Sequence, residues 1–87
     1  MKRQPETTEL NVIARAPFHK YYEGIAYAVS ATNSVGQFDI LPGHADFFSI
    51  LSPGDIVIET ASEPISFEIT NGILTVRDNE VLLFVNM

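Results

Sequence analysis

The residues best suited to acid–base or nucleophilic chemistry lie close together in this sequence. His44, Asp46 and Ser49 fall within six positions, and they are the residue types of a base, an orienting carboxylate and a nucleophile. The members of such a triad must converge in space, and they usually come from different elements of a fold. One short segment does not bring three side chains together in this way, so we interpret them as a turn histidine and two polar surface residues.

Metal and nucleotide sites have still less support. The two histidines are twenty-five positions apart, and the chain has no cysteine. An ion would need Asp39, His44 and Asp46 to point at one place, whereas solvated carboxylates explain the two acids more simply. No glycine-rich loop precedes a helix, because Gly36 and Gly72 are predicted in turns between strands. The sequence therefore predicts no catalytic residue, no metal and no cofactor.

Charge and hydropathy exclude further classes of function. The net charge is −6, from eleven acids and five bases, and an acidic surface is repelled by phosphate backbones and anionic lipid heads. The longest apolar run, Val81–Val85, has five residues and is too short to span a bilayer. We therefore predict a soluble protein that does not bind nucleic acid and that reaches a membrane only through a partner.

Alternating apolar and polar residues predict the elements that must position any functional side chain. Residues 1–9 carry no apolar pattern and are expected to be a flexible lead, and residues 10–87 are expected to form one domain. Leu10–Ala16 is predicted as the first strand, Phe18–Glu23 as an aromatic connection, and Ile25–Thr32 as a second strand with Ile25 on its inner face.

The second half of the chain contains two predicted two-residue turns. Asn71-Gly72 is a strong signal for a type I′ hairpin, and Asp78-Asn79 predicts a second tight turn. The last strand, Glu80–Val85, is apolar on both faces, as expected for a strand that is covered on both sides or lies against a partner.

Many short strands with turn residues between them, and no long stretch of helical period, indicate an all-β sandwich or barrel. Two sheets would enclose one core, whose predicted members are Ile25, Val29, Phe38, Ile40, Ile56, Ile58, Phe67, Ile69, Leu74, Val76 and Leu82.

The segment Gly36–His44 combines a predicted strand with a predicted tight turn. Phe38 and Ile40 alternate with Gln37 and Asp39, which predicts a half-buried strand with one amide and one carboxylate on its polar face. Pro42-Gly43 then fits a type II turn. A stiff, exposed and polar loop of this kind is suited to contact with a partner.

This segment, together with Leu51-Ser52-Pro53-Gly54, Tyr22-Glu23-Gly24 and Asn71–Val76, resembles the N-terminal domain of the epsilon subunit of F-type ATP synthases. The four landmarks occur in the family's order and at its intervals between about Leu10 and Val85. The resemblance implies an all-β, flattened β-sandwich of about ten short strands.

The resemblance also implies a function. Members of this family are non-catalytic central-stalk subunits that link the gamma subunit to the ring of c subunits in proton-driven ATP synthesis. They lie at the cytoplasmic face of an energy-transducing membrane, here expected to be a bacterial plasma membrane. Residues expected on the ring side of this chain are Ser34, Gly36, Gln37, Asp39 and His44.

Three departures from the family keep other interpretations open. Many relatives have an acid at the position of Gln37 and a glycine at that of Asp39, which suggests a carboxylate relocated within one strand face. The sequence stops at Met87, before the family's nucleotide-binding helical domain, so no ATP-sensing role is expected. The missing helical domain, together with Asn71 at a position where the family usually has glycine, leaves a stand-alone β-sandwich adapter as the alternative.

Sheet edges and an uncovered apolar face also favour a homodimer when partners are absent.

Overall fold

The computed structural model describes residues 9–87, and the regular secondary structure in that range is β-strand. The flexible lead that we predict over residues 1–9 lies, except for Glu9, outside the described residues. No helix in residues 9–87 is long and apolar enough to cross a membrane. The strands are β1 (Leu10–Ala16), β2 (His19–Ala26), β3 (Ala28–Asn33), β4 (Gly36–Ile40), β5 (Phe47–Leu51), β6 (Gly54–Glu59), β7 (Ile65–Ile69), β8 (Gly72–Arg77) and β9 (Glu80–Val85).

These strands form two sheets that face each other. The five-stranded sheet has the order β2-β1-β9-β8-β5, and the four-stranded sheet has the order β4-β3-β6-β7. Neighbouring strands are antiparallel except for β1 and β9, which run parallel. The molecule measures 40 × 28 × 20 Å along its principal axes. The prediction of a flattened all-β sandwich is confirmed, with nine strands in the described range where the resemblance implied about ten.

One core lies between the sheets, and it follows from the period-two alternation of each strand. In β9, for example, Val81, Leu83 and Val85 are buried while Leu82 and Phe84 are exposed. Most of the predicted core is confirmed. The prediction is wrong for Ile25 and Leu82, because their side chains point outward and are 41% and 40% exposed. The confirmed buried members are Val29, Ile40, Ile56, Ile58, Ile69, Leu74 and Val76, with Phe38 and Phe67 partly buried against them.

Aromatic pairs close the two open sides of the sandwich. On one side Tyr21 stacks on Phe67 with ring centroids 4.0 Å apart and nearly parallel planes. On the other side Phe38 meets Phe47 edge to face at 5.5 Å. Each pair joins a strand of one sheet to a strand of the other, so large rings cover core edges that short strands leave open.

The predicted connection over Phe18–Glu23 is wrong, because most of it belongs to β2. This strand pairs with β1 from Ala26 back to His19, with a bulge between Ala14 and Arg15. The predicted second strand is instead divided at Tyr27, where the chain passes from the five-stranded to the four-stranded sheet. The break changes which residues face the core, and this is why Ile25 lies outside while Val29 lies inside.

The two predicted tight turns have different outcomes. Asp78 and Asn79 have φ of 52° and 64° and join β8 to β9, so this hairpin is confirmed. The hairpin at Asn71-Gly72 is wrong, since β7 and β8 belong to different sheets and neither residue has a positive φ. Gly72 is needed for space: an added Cβ would lie 2.9 Å from the Phe84 carbonyl oxygen.

Candidate partner-binding surfaces

The residues predicted on the ring side lie along β4, which is an edge strand of the four-stranded sheet. Ser34 and Gly36 lie at the β3–β4 turn, and His44 lies beyond the opposite end of the strand. The four steps from Gly36 to Ile40 separate the two ends by about 13 Å at about 3.3 Å per residue. Ser34, Gly36, Gln37 and Asp39 are exposed, and His44 is half-buried.

Hydrogen bonds fix both ends of β4 to the opposite sheet. At the β3–β4 turn, the backbone N–H groups of Val35 and Gly36 donate to Asn33 Oδ1 at 2.9 and 3.3 Å. The Nδ2 of Asn33 donates in turn to Ser49 Oγ on β5 at 3.1 Å. This bond links the turn to the five-stranded sheet, so the β3–β4 end of the edge strand is held in place.

The other end of β4 runs into the predicted type II turn. Gly43 has φ of 87°, and the N–H of His44 donates to the Leu41 carbonyl at 3.1 Å, which confirms the turn type. The N–H of Gly43 donates to Asn79 Oδ1 in the β8–β9 turn at 2.7 Å. A second link between the sheets therefore fixes this end as well.

The polar face of β4 has the arrangement that its sequence predicts. Asp39 pairs across the ladder with Ser30, and Thr32 pairs with Gln37. Ser30 Oγ donates to Asp39 Oδ1 at 2.7 Å, so the carboxylate is oriented while it stays exposed. Gln37 and Asp39 thus lie on one outer surface, two residues apart.

The three residues of the suspected triad do not form a catalytic arrangement. Ser49 is nearly buried; it accepts its hydrogen bond from Asn33 and donates to the Ile50 carbonyl at 3.3 Å. The ring of His44 packs edge to face against Phe47, and its Nδ1 contacts the Ala45 carbonyl oxygen. Within residues 9–87, no group of three His, Asp or Glu side chains could hold a metal ion.

The outer side of the five-stranded sheet carries a contiguous apolar surface, which we call the apolar face. Cross-strand pairs Ile13–Leu82, Leu82–Thr75 and Thr75–Phe48 form one row. Phe84, Ile73 and Ile50 form the next. Phe48 is 61% exposed and Ile50 is 70% exposed. The apolar face consists of Ile13, Phe48, Ile50, Ile73, Leu82 and Phe84.

A cleft of about 630 Å³ opens at one end of the apolar face. Phe48 and Leu82 contribute its apolar wall, and Thr75, Arg77 and Glu80 line its polar side. Arg77 and Glu80 are opposite each other in the β8–β9 hairpin. The cleft adds depth to this end of the apolar face.

Within residues 9–87, the Lys and Arg side chains lie at the rim of the apolar face. Arg15, Lys20 and Arg77 are the Lys and Arg residues of the described range, and all three lie on the outer side of the five-stranded sheet. Lys20 Nζ donates to Glu23 Oε1 at 2.7 Å. That hydrogen bond, with the charges of Lys20 and Arg15, lowers the pKa of the Glu23 carboxyl.

The outer side of the four-stranded sheet has the opposite chemistry, and we call it the acidic face. Its carboxylates come from three strands, and no Lys or Arg of residues 9–87 lies among them. Val57 interrupts it at the centre, between Ser30 and Ser66. The acidic face is defined by Asp39, Asp55, Glu59 and Glu68.

Sequence reasoning found some of the apolar face but not its extent. The two-sided apolar character of Val81–Phe84 indicated a strand that is covered on both sides or lies against a partner, and Leu82 and Phe84 are exposed. The contributions of Phe48, Ile50 and Ile13 were missed. Their position depends on the registers of β5 with β8 and of β1 with β9, which join segments far apart in sequence.

Comparisons with known proteins agree with this architecture. Residues 8–87 match the family "ATP synthase, Delta/Epsilon chain, beta-sandwich domain". An ATP synthase epsilon chain of Trichlorobacter lovleyi is 28% identical over 80 residues, covering 92% of this chain and 56% of the relative. One of Xanthomonas campestris pv. campestris is 39% identical over 66 residues, covering 75% and 47%. This chain thus spans about half the length of the curated relatives it matches.

Two solved structures share the fold. A chain in the central stalk and c-ring structure of the Tetrahymena thermophila mitochondrial ATP synthase superposes with a TM-score of 0.79 at 21% identity, over 93% of this chain and 66% of that one. A chain of the Euglena gracilis mitochondrial ATP synthase gives 0.86 at 16% identity, over 99% and 56%. At these identities the likeness concerns the fold.

Proposed function

Since the chain belongs to the family of delta/epsilon-chain β-sandwich domains of ATP synthases, we propose that it is a central-stalk coupling subunit of an F-type ATP synthase. In this role it links the gamma subunit to the ring of c subunits during proton-driven ATP synthesis. Catalysis belongs to other subunits of the complex, and this chain acts by binding. The observation that carries the proposal is the apolar face.

The gamma subunit docks on the apolar face. Six apolar side chains from four of the five strands form this surface, and four of them are among the exposed large hydrophobic residues. The largest contiguous apolar patch on a protein surface is often an interaction site. The cleft beside Leu82 and Phe48 would accept a protruding apolar side chain, and Arg77 on its polar side would pair with a partner carboxylate.

The c-ring contacts the β4 edge through Ser34, Gly36, Gln37, Asp39 and His44. Asp39 supplies a carboxylate for a basic ring loop, and its bond from Ser30 holds that carboxylate in one orientation. An exposed ion pair contributes only about 0–1 kcal/mol. Shape and buried area therefore provide most of the binding energy at this edge, and the charge contributes mainly to specificity.

A stiff domain can transmit torque between these two partners. Close-packed protein cores have low compressibility, and here one core joins both sheets. The links Asn33–Ser49 and Gly43–Asn79 hold the two ends of the ring-side strand to the sheet that carries the apolar face. Force applied along β4 would thus reach gamma without a hinge between them.

The proposed place of action is the cytoplasmic face of a bacterial plasma membrane, with membrane contact through the complex alone. The bacterial origin of the curated relatives supports this place. The acidic face points away from gamma in this arrangement. Its carboxylates away from the β4 edge, Asp55, Glu59 and Glu68, favour a hydrated surface.

Copurification tests the proposal directly. The tagged chain is mixed with gamma and with the c-ring from the same source, at low and at physiological salt. We expect gamma to be recovered at both salt concentrations, because apolar burial is only weakly sensitive to salt, and the ring to be recovered better at low salt. If a well-folded chain recovers neither partner, the coupling role is wrong and the stand-alone adapter takes its place.

A further inference from the structure

We propose that the chain, in the absence of other subunits, forms a reversible homodimer in which the apolar faces of two copies pack against each other. This inference goes beyond the coupling role and does not depend on it, because it concerns the purified chain alone. Its basis is the distribution of apolar area and of charge on the two sheets.

The apolar face is suited to packing against a second sheet. Leu82 and Phe84 protrude from the central strand β9 and are 40% and 48% exposed. On β5, Phe48 and Ile50 extend the surface to the sheet edge. Two such surfaces can interdigitate as the inner faces of β-sandwiches do, with the strands of the two sheets about 30° apart.

The charge distribution permits self-association despite a net charge of −6. In a dimer formed through the apolar faces, both acidic faces lie on the outside. Two sandwiches contain four sheets, and three spacings of about 10 Å place the acidic faces about 30 Å apart. This separation exceeds the Debye length of about 8 Å at physiological ionic strength, so their repulsion is screened.

The rim of the apolar face carries both signs of charge. Arg15, Lys20 and Arg77 provide cations, and Glu23 and Glu80 provide anions. Two copies that meet through this face can therefore set cations of one rim against anions of the other. The acidic face has no such self-complementarity among the described residues.

The size of the surface predicts a weak dimer. The whole outer side of the five-stranded sheet, with the charged rim included, has five strands at about 4.8 Å and three residue rows at about 6.7 Å, which gives roughly 480 Å² for each copy, or about 1,000 Å² in total. Stable interfaces bury about 1,200–2,000 Å², and smaller ones are transient. We therefore expect a dissociation constant on the order of tens of micromolar, so that the dimer forms at high protein concentration and dissociates on dilution.

Sedimentation equilibrium of the purified chain between about 5 and about 500 µM tests the inference, with the concentrations chosen to bracket the expected dissociation constant. Three variants are compared with the parent chain: Leu82→Glu and Ile50→Glu on the apolar face, and Val57→Glu on the acidic face as the matched control. All three exchange one apolar residue for one acid, so they change the net charge equally. Far-UV circular dichroism and urea midpoints verify that each variant folds, and Ile50→Glu is included because its side chain is 70% exposed.

The expected result is a monomer–dimer equilibrium in the parent chain that Val57→Glu changes by less than about threefold. Leu82→Glu and Ile50→Glu should each weaken it by at least about tenfold, because every dimer contains the change twice. A parent chain that remains monomeric over the whole range would overturn the proposal. So would a folded apolar-face variant that dimerises as the parent does.

Discussion

The two outer faces of this sandwich share one core and yet have opposite chemistry. The apolar face has six apolar side chains, four of them exposed, with cations at its rim, and the acidic face exposes four carboxylates without a described cation. Both alternate in the same way with buried neighbours. The difference shows that alternation specifies a core-facing side for each strand. The residues on the other side can be apolar, for contact with a partner, or charged, for contact with solvent.

The contrast has a physical consequence for each face. Apolar side chains in water contribute free energy only when a partner covers them, at about 25 cal/mol per Å² of area removed. Carboxylates without partner cations favour hydration and oppose close approach of acidic surfaces. We therefore expect changes on the apolar face to weaken gamma binding, and changes on the acidic face away from Asp39 to leave binding unaltered.

The largest expected effect separates two neighbouring leucines of β9. Leu83→Ala should lower the free energy of unfolding by about 2–5 kcal/mol, because Leu83 is buried in the shared core and the change leaves a cavity. Leu82→Ala should lower it by about 1 kcal/mol or less, since that side chain points outward. Urea denaturation measures both values. Equal losses would show that the register of β9 is not as described.

The next effect concerns the partner of the apolar face. Phe84→Glu should weaken gamma binding by about 30-fold or more, because it places a charge at the centre of a buried interface. Titration calorimetry or surface plasmon resonance gives the affinity, with Val57→Glu as the control. Loss of binding in the control but not in Phe84→Glu would assign gamma to the four-stranded sheet instead.

A smaller effect is expected at the β4 edge. Asp39→Asn keeps the side-chain shape and the oxygen that accepts from Ser30, and it removes only the charge. C-ring binding should fall by about fivefold or less at low salt, and the difference should shrink at physiological salt. Ring affinities of both chains at two ionic strengths provide the comparison. An unaltered affinity at low salt means that Asp39 does not pair with a ring cation.

The smallest effect comes from the rim of the apolar face. The folded-state pKa of Glu23 is lowered by Lys20, so its contribution to stability is present above the unfolded-state pKa and is lost as pH falls through the folded value. Both groups are more than half exposed, so solvent screening keeps this contribution small. Urea midpoints of the parent chain and Glu23→Gln should converge as pH falls through the lowered folded-state pKa of Glu23. Divergence at low pH would contradict the sign of this shift.

Local sequence patterns were sufficient for the elements whose structure depends on neighbouring residues. The alternation of Phe38 and Ile40, the type II turn at Pro42-Gly43 and the hairpin at Asp78-Asn79 depend on backbone preferences within a few positions, and all three are confirmed.

Errors arose where contacts between distant segments decide the outcome. Asn71-Gly72 has the composition of a hairpin turn, but Gly72 is required by the close approach of Phe84 on β9. Ile25 points outward and not inward as predicted, because the chain leaves the five-stranded sheet at Tyr27. The extent of the apolar face depends on registers that no local pattern encodes. The ring-side residues stay a prediction.

Site-directed labelling tests most directly whether the apolar face is the one that gamma covers. The chain has no cysteine of its own, so Ile50→Cys and Ser66→Cys each create a single reactive site, one on the apolar face and one beside the acidic face. We expect saturating gamma to slow maleimide labelling at position 50 by at least about tenfold, because a close-packed interface excludes the reagent. The rate of labelling at position 66 should change by less than about twofold, because that position lies outside the proposed interface and the reagent can still reach it. Protection at position 66 with free labelling at position 50 would contradict the account.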